Sequence, residues 1–375
     1  SGRWDIETTS GKTYNPQFFI PSLGQLHHAN TPLFDGRKSF TGEQFHSAEW
    51  PEDIDLCGKN VAVIGNAASA IQLIPEVAKQ VSKLTVYQRS ANWVVPKGDR
   101  HYTKFEKFLA KAMPSLTKLY RGYWFAMGEF GLYPMIKGKK IRSAIGEWMC
   151  RREIKRHIHD PNLREALVPD YPIGAKRILL SDNYYAALNM DNVALVTQPV
   201  AQLTDIGIAV AGGTVRAHDV IIYATGFKVH PFYDGLTIQG EGGALLSDYW
   251  QDGARAYYGV ITHNFPNMFM LYGPNTNTGH SSIVFKLENQ VGYILQLIER
   301  AGDGVIDVKP EAETRFDTEM QTRLARTAWA KVENSWYKSG GRIINNWPGS
   351  ALEYKRRMKT PIWADFETSV MNAPS

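Results

Sequence analysis

Short, unbroken apolar runs and one amphipathic stretch organise the first third of the chain. Lys59-Asn60-Val61-Ala62-Val63-Ile64 reads as a buried strand. Ala67 to Gln80 carries apolar residues at Ile71, Ile74 and Ala78, the spacing of a helix, and Lys83 to Gln88 reads as a second strand. Strand, helix and strand within thirty residues form a βαβ unit, which predicts a parallel sheet. Upstream, Trp4 to Thr8 alternates apolar and polar, Ser10-Gly11-Lys12 turns, and Tyr14 to Ile20 is apolar again. This hairpin needs further strands to be stable, so it is read as having lost upstream neighbours. Pro32 to Pro51 is read as loop-rich.

From Arg100 to His159 β-branched runs give way to helix formers. Phe105, Phe108, Leu109 and Ala112 form a helical stripe that Pro114 interrupts, which predicts a helical insertion between two parts of a sheet domain. Its basic clusters, Lys137 to Arg142 and Arg151 to Arg156, read as solvated helix faces before any lipid or nucleic-acid surface. Strand patterns return at Val193 to Val196, Gly207 to Val210 and Val220 to Ala224. Helical patterns follow at Ser282 to Arg300 and Glu311 to Val332. The fold class is α/β, Rossmann-like, with a helical insertion.

Composition narrows the class. Of 375 residues, 43% are hydrophobic and 21% charged, enough apolar material for a packed core, which excludes disorder. Aromatics at 12% point to a site built from flat rings. The net charge of +5 is compatible with anionic cofactors and too small for a dedicated nucleic-acid binder. Two cysteines, Cys57 and Cys150, exclude a disulfide framework and fit a reducing compartment. No apolar run is long enough to cross a bilayer, and Ser1-Gly2-Arg3-Trp4-Asp5 has no signal-peptide core. The expectation is a cytoplasmic enzyme.

The sharpest local motif is Gly65-Asn66-Ala67-Ala68-Ser69-Ala70, directly after the first buried strand. Gly65, Ala67 and Ala70 fit the G-x-G-x-x-G/A dinucleotide pattern with alanine at its second and third places. Gly65 permits the turn, a small residue at 67 lets the backbone approach a pyrophosphate, and Ala70 lets the helix pack closely. A structural turn without a ligand is the alternative. The second strand ends Tyr87-Gln88-Arg89-Ser90, with arginine 24 positions after Gly65 where an NAD site would carry a carboxylate. A guanidinium grips a 2′-phosphate, so the spacing favours NADP(H) over NAD; an exposed loop cation is the alternative. No metal site is read from His27-His28, His101 or His157-x-His159, which lack fitting Cys or Glu partners. No G-x-S-x-G surrounds Ser281 and Ser282, and neither cysteine has a C-x-x-C partner.

Phe40-Thr41-Gly42-Glu43-Gln44-Phe45-His46-Ser47-Ala48-Glu49-Trp50-Pro51 resembles the F-x-G-x-x-x-H-[T/S]-x-x-W-P fingerprint of Baeyer–Villiger monooxygenases, a branch of the flavin-containing monooxygenases. Every specified position matches, at Phe40, Gly42, His46, Ser47, Trp50 and Pro51. The resemblance continues in Gly174-Ala175-Lys176-Arg177 and in Ala224-Thr225-Gly226-Phe227. It extends to Tyr272-Gly273-Pro274-Asn275, to Asn334-Ser335-Trp336-Tyr337, which is similar to a loop folding over the nicotinamide, and to Leu352-Glu353-Tyr354 with Lys355-Arg356-Arg357.

The resemblance implies an enzyme in which NADPH reduces bound FAD, the reduced flavin captures O₂, and a ketone becomes an ester or lactone or a soft heteroatom is oxygenated. It implies Arg177 as the active-site arginine, Lys176 beside Arg89 and Ser90 at the 2′-phosphate, and Thr225, Gly226 and Trp336 among the cofactor contacts. Members carry a first G-x-G-x-x-G for FAD that is not found here, and Ser22-Leu23-Gly24 departs from the A-T-G turn expected after the hairpin. The resemblance therefore implies residual FAD-domain strands and fingerprint linker over 1–52. It places an NADP domain over 53–98 and 170–225, a helical insertion over 99–169, and the carboxyl-terminal part of a FAD domain over 226–375. The partners expected are a small ketone or heteroatom substrate and O₂, with no nucleic acid. The alternatives are a flavin-dependent S- or N-oxygenase, or a non-catalytic NADP-binding fragment.

Overall fold

A computed structural model gives the fold and describes residues 2–333 and 335–369. The chain divides into two compact units. One comprises Leu26–Thr117 and Lys140–Lys228; the other comprises Ser1–Gln25, Lys118–Lys139 and Val229–Ser375.

The first of these is built on a five-stranded parallel sheet, in the order Glu43–His46, Val220–Tyr223, Asn60–Ile64, Lys83–Tyr87, Val193–Val196. The register aligns His46 with Tyr223, Tyr223 with Ile64, Ile64 with Tyr87 and Tyr87 with Val196. All five carboxyl ends therefore lie in one row. The unbroken apolar runs are explained by burial on both faces, since successive side chains point to opposite sides. Val61, Val63, Leu84, Val86, Val220 and Ile222 pack with Ile71, Ile74 and Ala78 of the helix Ala70–Ala78. Ala62, Ile64, Tyr87, Ile221 and Tyr223 pack on the other face with Leu203, Ile208 and Val210. Those three belong to an antiparallel sheet of Val200–Leu203, Gly207–Val210 and Val215–Ala217.

Glu43–His46 corrects the loop reading of residues 32–51. It is a strand at the sheet edge, and its mixed sequence EQFH shows neither an apolar run nor clean alternation. The helix expected from Ala67 begins at Ala70.

The other unit has only two-stranded pairings among its described residues. The opening hairpin pairs Ile6–Glu7 with Thr13–Tyr14, shorter than the apolar pattern suggested because Pro16 and Pro21 cannot donate to a ladder. Val305–Val308 pairs with Phe366–Ser369. The helices Ile283–Ala301 and Pro310–Leu324 carry Tyr293, Ile294, Leu297, Phe316 and Met320 into one core with Tyr258, Trp347 and Tyr354. The second helix stops well before Val332, and a short 3₁₀ turn, Ala328–Lys331, follows it. The helical stretch after Pro114 contains a π-helical turn, Met127–Leu132, within this unit. Among the described residues no helix is long and apolar enough to cross a membrane.

Candidate functional site

At the row of carboxyl strand ends, the chain leaves Ile64 through Gly65, whose φ is 110°. A side chain here would run into the Ala224 carbonyl, so both backbone conformation and space require glycine. The Gly65 N–H donates to the Tyr87 carbonyl at 3.0 Å. Helical bonding then starts at once: Ile71 N–H reaches the Ala67 carbonyl at 3.0 Å and Leu73 N–H the Ser69 carbonyl at 3.1 Å. Ser69 makes no side-chain cap bond, leaving the first turn without the side-chain acceptor that usually satisfies its N–H groups. That is the arrangement an anion completes. Ala70 is fully buried against the sheet, which explains its small side chain.

Asn66 fills an unspecified position of the dinucleotide pattern, yet it organises this corner. Its amide donates to Gln88 Oε1 at 2.7 Å and to the Ser90 carbonyl at 3.0 Å. Asn92 donates back to its carbonyl and Oδ1, both at 3.2 Å. The only sequence signal was an asparagine directly after the turn glycine, where a buried amide can cross-link two strand ends.

Arg89 is exposed, and Ser90 and Lys176 are half-buried. Lys176 Nζ lies 3.3 Å from Ser90 Oγ and 4.4 Å from the centre of the Tyr171 ring. Burial lowers its proton affinity, the Arg89 charge lowers it further, and Asp170 opposes both. Two cations thus converge beside the second strand end, and neither makes an ion pair among the described residues. The turn holding Lys176 begins at Gly174, with φ 87°, and Ala175 is buried. Arg177, next in sequence, is exposed and makes no ion pair or hydrogen bond among the described residues. The turn therefore sends its two cations to different surroundings.

The fingerprint residues lie in and around the edge strand Glu43–His46. Gly42 sits where a side chain would strike the Asp219 carbonyl and the Phe40 ring, and Phe40 is buried in the second core. His46 is 1% exposed; its Nδ1 accepts from Ala48 N–H at 3.2 Å, while Nε2 has no hydrogen-bond partner among the described residues. Its ring meets Phe227 edge-on at 5.6 Å, and Trp50, followed by Pro51, packs edge-on against Phe45 at 5.0 Å. Thr225 Oγ1 donates to the Asn30 carbonyl at 2.6 Å, and Gly226, with φ 84°, accepts from Asn30 N–H at 2.9 Å. Gly65, Ala67, Ala70, Arg89, Ser90, Lys176, Thr225 and Gly226 all belong to this one unit.

Trp336 belongs to the other unit, where its carbonyl lies 3.0 Å from His230 Nε2 and its ring is 4.4 Å from that of Tyr337. Asn334 lies outside the described residues. The same unit buries a set of polar groups that includes Asn275, His280, Lys286, Asn345 and Asn346. Asn275 donates to the carbonyls of Ile343 and Asn346 at 2.8 and 3.0 Å, yet among the described residues the Asn346 side-chain amide has no partner on either atom. His280 Nε2 and Lys286 Nζ are likewise buried without a hydrogen-bond partner.

Comparison with known proteins gives these sites a context. The flavin-binding monooxygenase-like family model matches residues 1–245. A protein of Aspergillus niger named FAD-binding monooxygenase ktnD is 37% identical over 93% of this chain and 59% of its own length. A Baeyer–Villiger monooxygenase of Pseudomonas aeruginosa is 36% identical over 94% of this chain and 68% of its own. The structure of an oxidized steroid monooxygenase bound to NADP superposes with a TM-score of 0.85 at 28% identity, covering 98% of this chain and 78% of that one. The chain thus spans between about three fifths and two thirds of the length of these curated relatives.

Proposed function

The chain belongs to the flavin-binding monooxygenase-like family, and we propose that it serves an NADPH- and FAD-dependent Baeyer–Villiger oxidation, inserting one oxygen atom of O₂ into a ketone to give an ester or lactone. The observation that carries the reading is the pairing of a glycine-turned helix start at Gly65 with two converging cations, Arg89 and Lys176, at the adjacent strand end. An uncapped first turn suits a pyrophosphate, and a forked guanidinium beside an ammonium suits a 2′-phosphate. The reading draws further support from the likeness to a steroid monooxygenase bound to NADP.

The residues of the other unit fit a flavin. Orphaned donors and acceptors on Asn345 and Asn346, buried beside the Tyr272-Gly273-Pro274-Asn275 turn, are what a flavin ring edge would satisfy. FAD, when bound, supplies the electron transfer from NADPH to O₂. The protein's share is binding and charge placement. Arg89, Ser90 and Lys176 hold the nucleotide. Arg177 stays charged at any working pH and offers a planar fork to the negative charge that develops on oxygen as the ketone is attacked. With two free cysteines, one exposed and one buried, the chain suits the cytoplasm.

Protein loaded with FAD and NADPH is offered a cyclic ketone and a thioether in parallel. Lactone from the ketone is the expected product. Sulfoxide alone would replace this reading with a heteroatom oxygenase, and NADPH binding with neither product would replace it with a non-catalytic nucleotide-binding chain. Arg177→Ala should keep NADPH binding while ester formation falls about 10²–10³-fold. Arg177→Lys keeps the charge and removes the fork, so parental ester formation by that variant would end the role assigned to Arg177.

A further inference from the structure

Lys176 is an awkward cation. It is half-buried, and Arg89 repels it, so holding it in place before a phosphate arrives needs a compensating contact. The Ser90 hydroxyl, at 3.3 Å, gives one weak partner. The face of Tyr171, with its ring centre 4.4 Å from Nζ, gives a second, and the charge of Asp170 favours the ammonium as well. An ammonium over an aromatic face is attracted by the ring quadrupole, and the attraction grows as water is excluded.

Tyr171 is itself fixed at three points. Its hydroxyl lies 3.0 Å from the Ala91 carbonyl and 3.1 Å from Asn92 Oδ1, and its own carbonyl accepts from the Trp93 indole N–H at 2.8 Å. Asn92 in turn donates to Asn66, the residue after the turn glycine. A continuous run of contacts thus links the Gly65 turn, through Asn66, Asn92 and Tyr171, to Lys176. Resting on the NADPH reading above, we propose that Tyr171 is the positioning residue that sets the preference for a 2′-phosphate, its ring holding Lys176 beside Arg89 before the nucleotide binds. Pre-ordering the lysine removes part of the ordering cost from the binding step, and only a ligand carrying the 2′-phosphate gains from it.

The test uses two small probes, 2′,5′-ADP and 5′-ADP, titrated by calorimetry into the whole chain and its variants. The parent should prefer 2′,5′-ADP; equal affinities would overturn the NADPH reading itself. Given that preference, Tyr171→Leu should weaken 2′,5′-ADP roughly two- to thirtyfold, the range of a partly desolvated cation–ring contact, and leave 5′-ADP unchanged. Tyr171→Phe, which keeps the ring, should restore most of the preference. In a Lys176→Ala background Tyr171→Leu should have no further effect on the ratio. Equal weakening of both probes by Tyr171→Leu would make Tyr171 a fold residue. Equal loss in the Phe and Leu variants would give the role to the hydroxyl brace, and undiminished discrimination in Tyr171→Leu would leave the ring no role at all.

Discussion

The two units differ in how far polar groups run through the interior. In the parallel-sheet unit the core is apolar on both faces, and the proposed nucleotide-binding cations stand at strand ends where water reaches them: Arg89 is exposed, Lys176 half-buried. In the other unit polar side chains run through the interior. Thr276, Lys286, Gln290, Asn345 and Asn346 are all fully buried, and several of their atoms have no partner. A site at strand ends can be assembled from short sequence motifs, because each strand end is a local event. A buried polar interior is assembled from segments far apart in sequence, as Asn275 meeting Ile343 and Asn346 shows. Unpartnered buried atoms cost about 1–3 kcal/mol each, so a bound group that satisfies them is favoured in that interior.

The sharpest way to break the contrast is at the turn on which the first unit depends. Gly65→Val places a β-branched residue at φ 110° and drives its side chain into the Ala224 carbonyl. The cost should exceed the roughly 1–3 kcal/mol of backbone strain alone. NADPH binding measured by titration should be lost and the melting temperature should fall. A variant that binds NADPH like the parent would show that the pyrophosphate sits elsewhere.

Arg89→Ala probes the same unit more gently. If the guanidinium holds the 2′-phosphate, NADPH affinity should fall by about 1.5–3 kcal/mol, roughly ten- to a hundredfold, with NADH nearly unchanged. Equal losses for both nucleotides would make Arg89 a support for the strand end and nothing more. The arginine is exposed, so its removal leaves no cavity to confuse the comparison.

The same contrast explains what could be read beforehand. The strands at 60–64, 83–87, 193–196 and 220–223 were legible because burial on two faces writes an unbroken apolar run into the sequence. The edge strand Glu43–His46 was not, since an edge strand of mixed composition carries no such run. The Gly65 turn was legible from spacing, and Arg89 lies at the second strand end where the count from Gly65 put it. Asn66 and Tyr171 were invisible because their meaning lies in hydrogen bonds to Gln88, Asn92 and Ala91, partners that only the folded chain brings within reach. Lys286 was missed for a plainer reason. A lysine on a helix is expected at the surface, and here it is fully buried.

Lys286 also gives the second unit its own test. Its amine lies 3.4 Å from the centre of the Tyr354 ring and 5.3 Å from that of Trp347, with no hydrogen-bond acceptor. Burial pushes its proton affinity well below that of a free lysine, although Glu129 and Glu353 pull the other way. Below pH 10.5, its ordinary value, the unfolded chain therefore holds a proton that the folded chain binds more weakly, and stability drains away as pH falls from 10.5 toward the depressed folded value. Lys286→Met keeps the length of the side chain and removes the amine. It should raise stability by about 1–3 kcal/mol near neutral pH, the usual cost of an unsatisfied buried polar group. The gain should shrink as pH rises toward 10.5, because the parent then pays only for a neutral amine. Urea unfolding of both proteins at pH 7 and pH 10 reads the difference directly. A Met variant less stable than its parent would mean that the two aromatic rings and the nearby carboxylates outweigh burial.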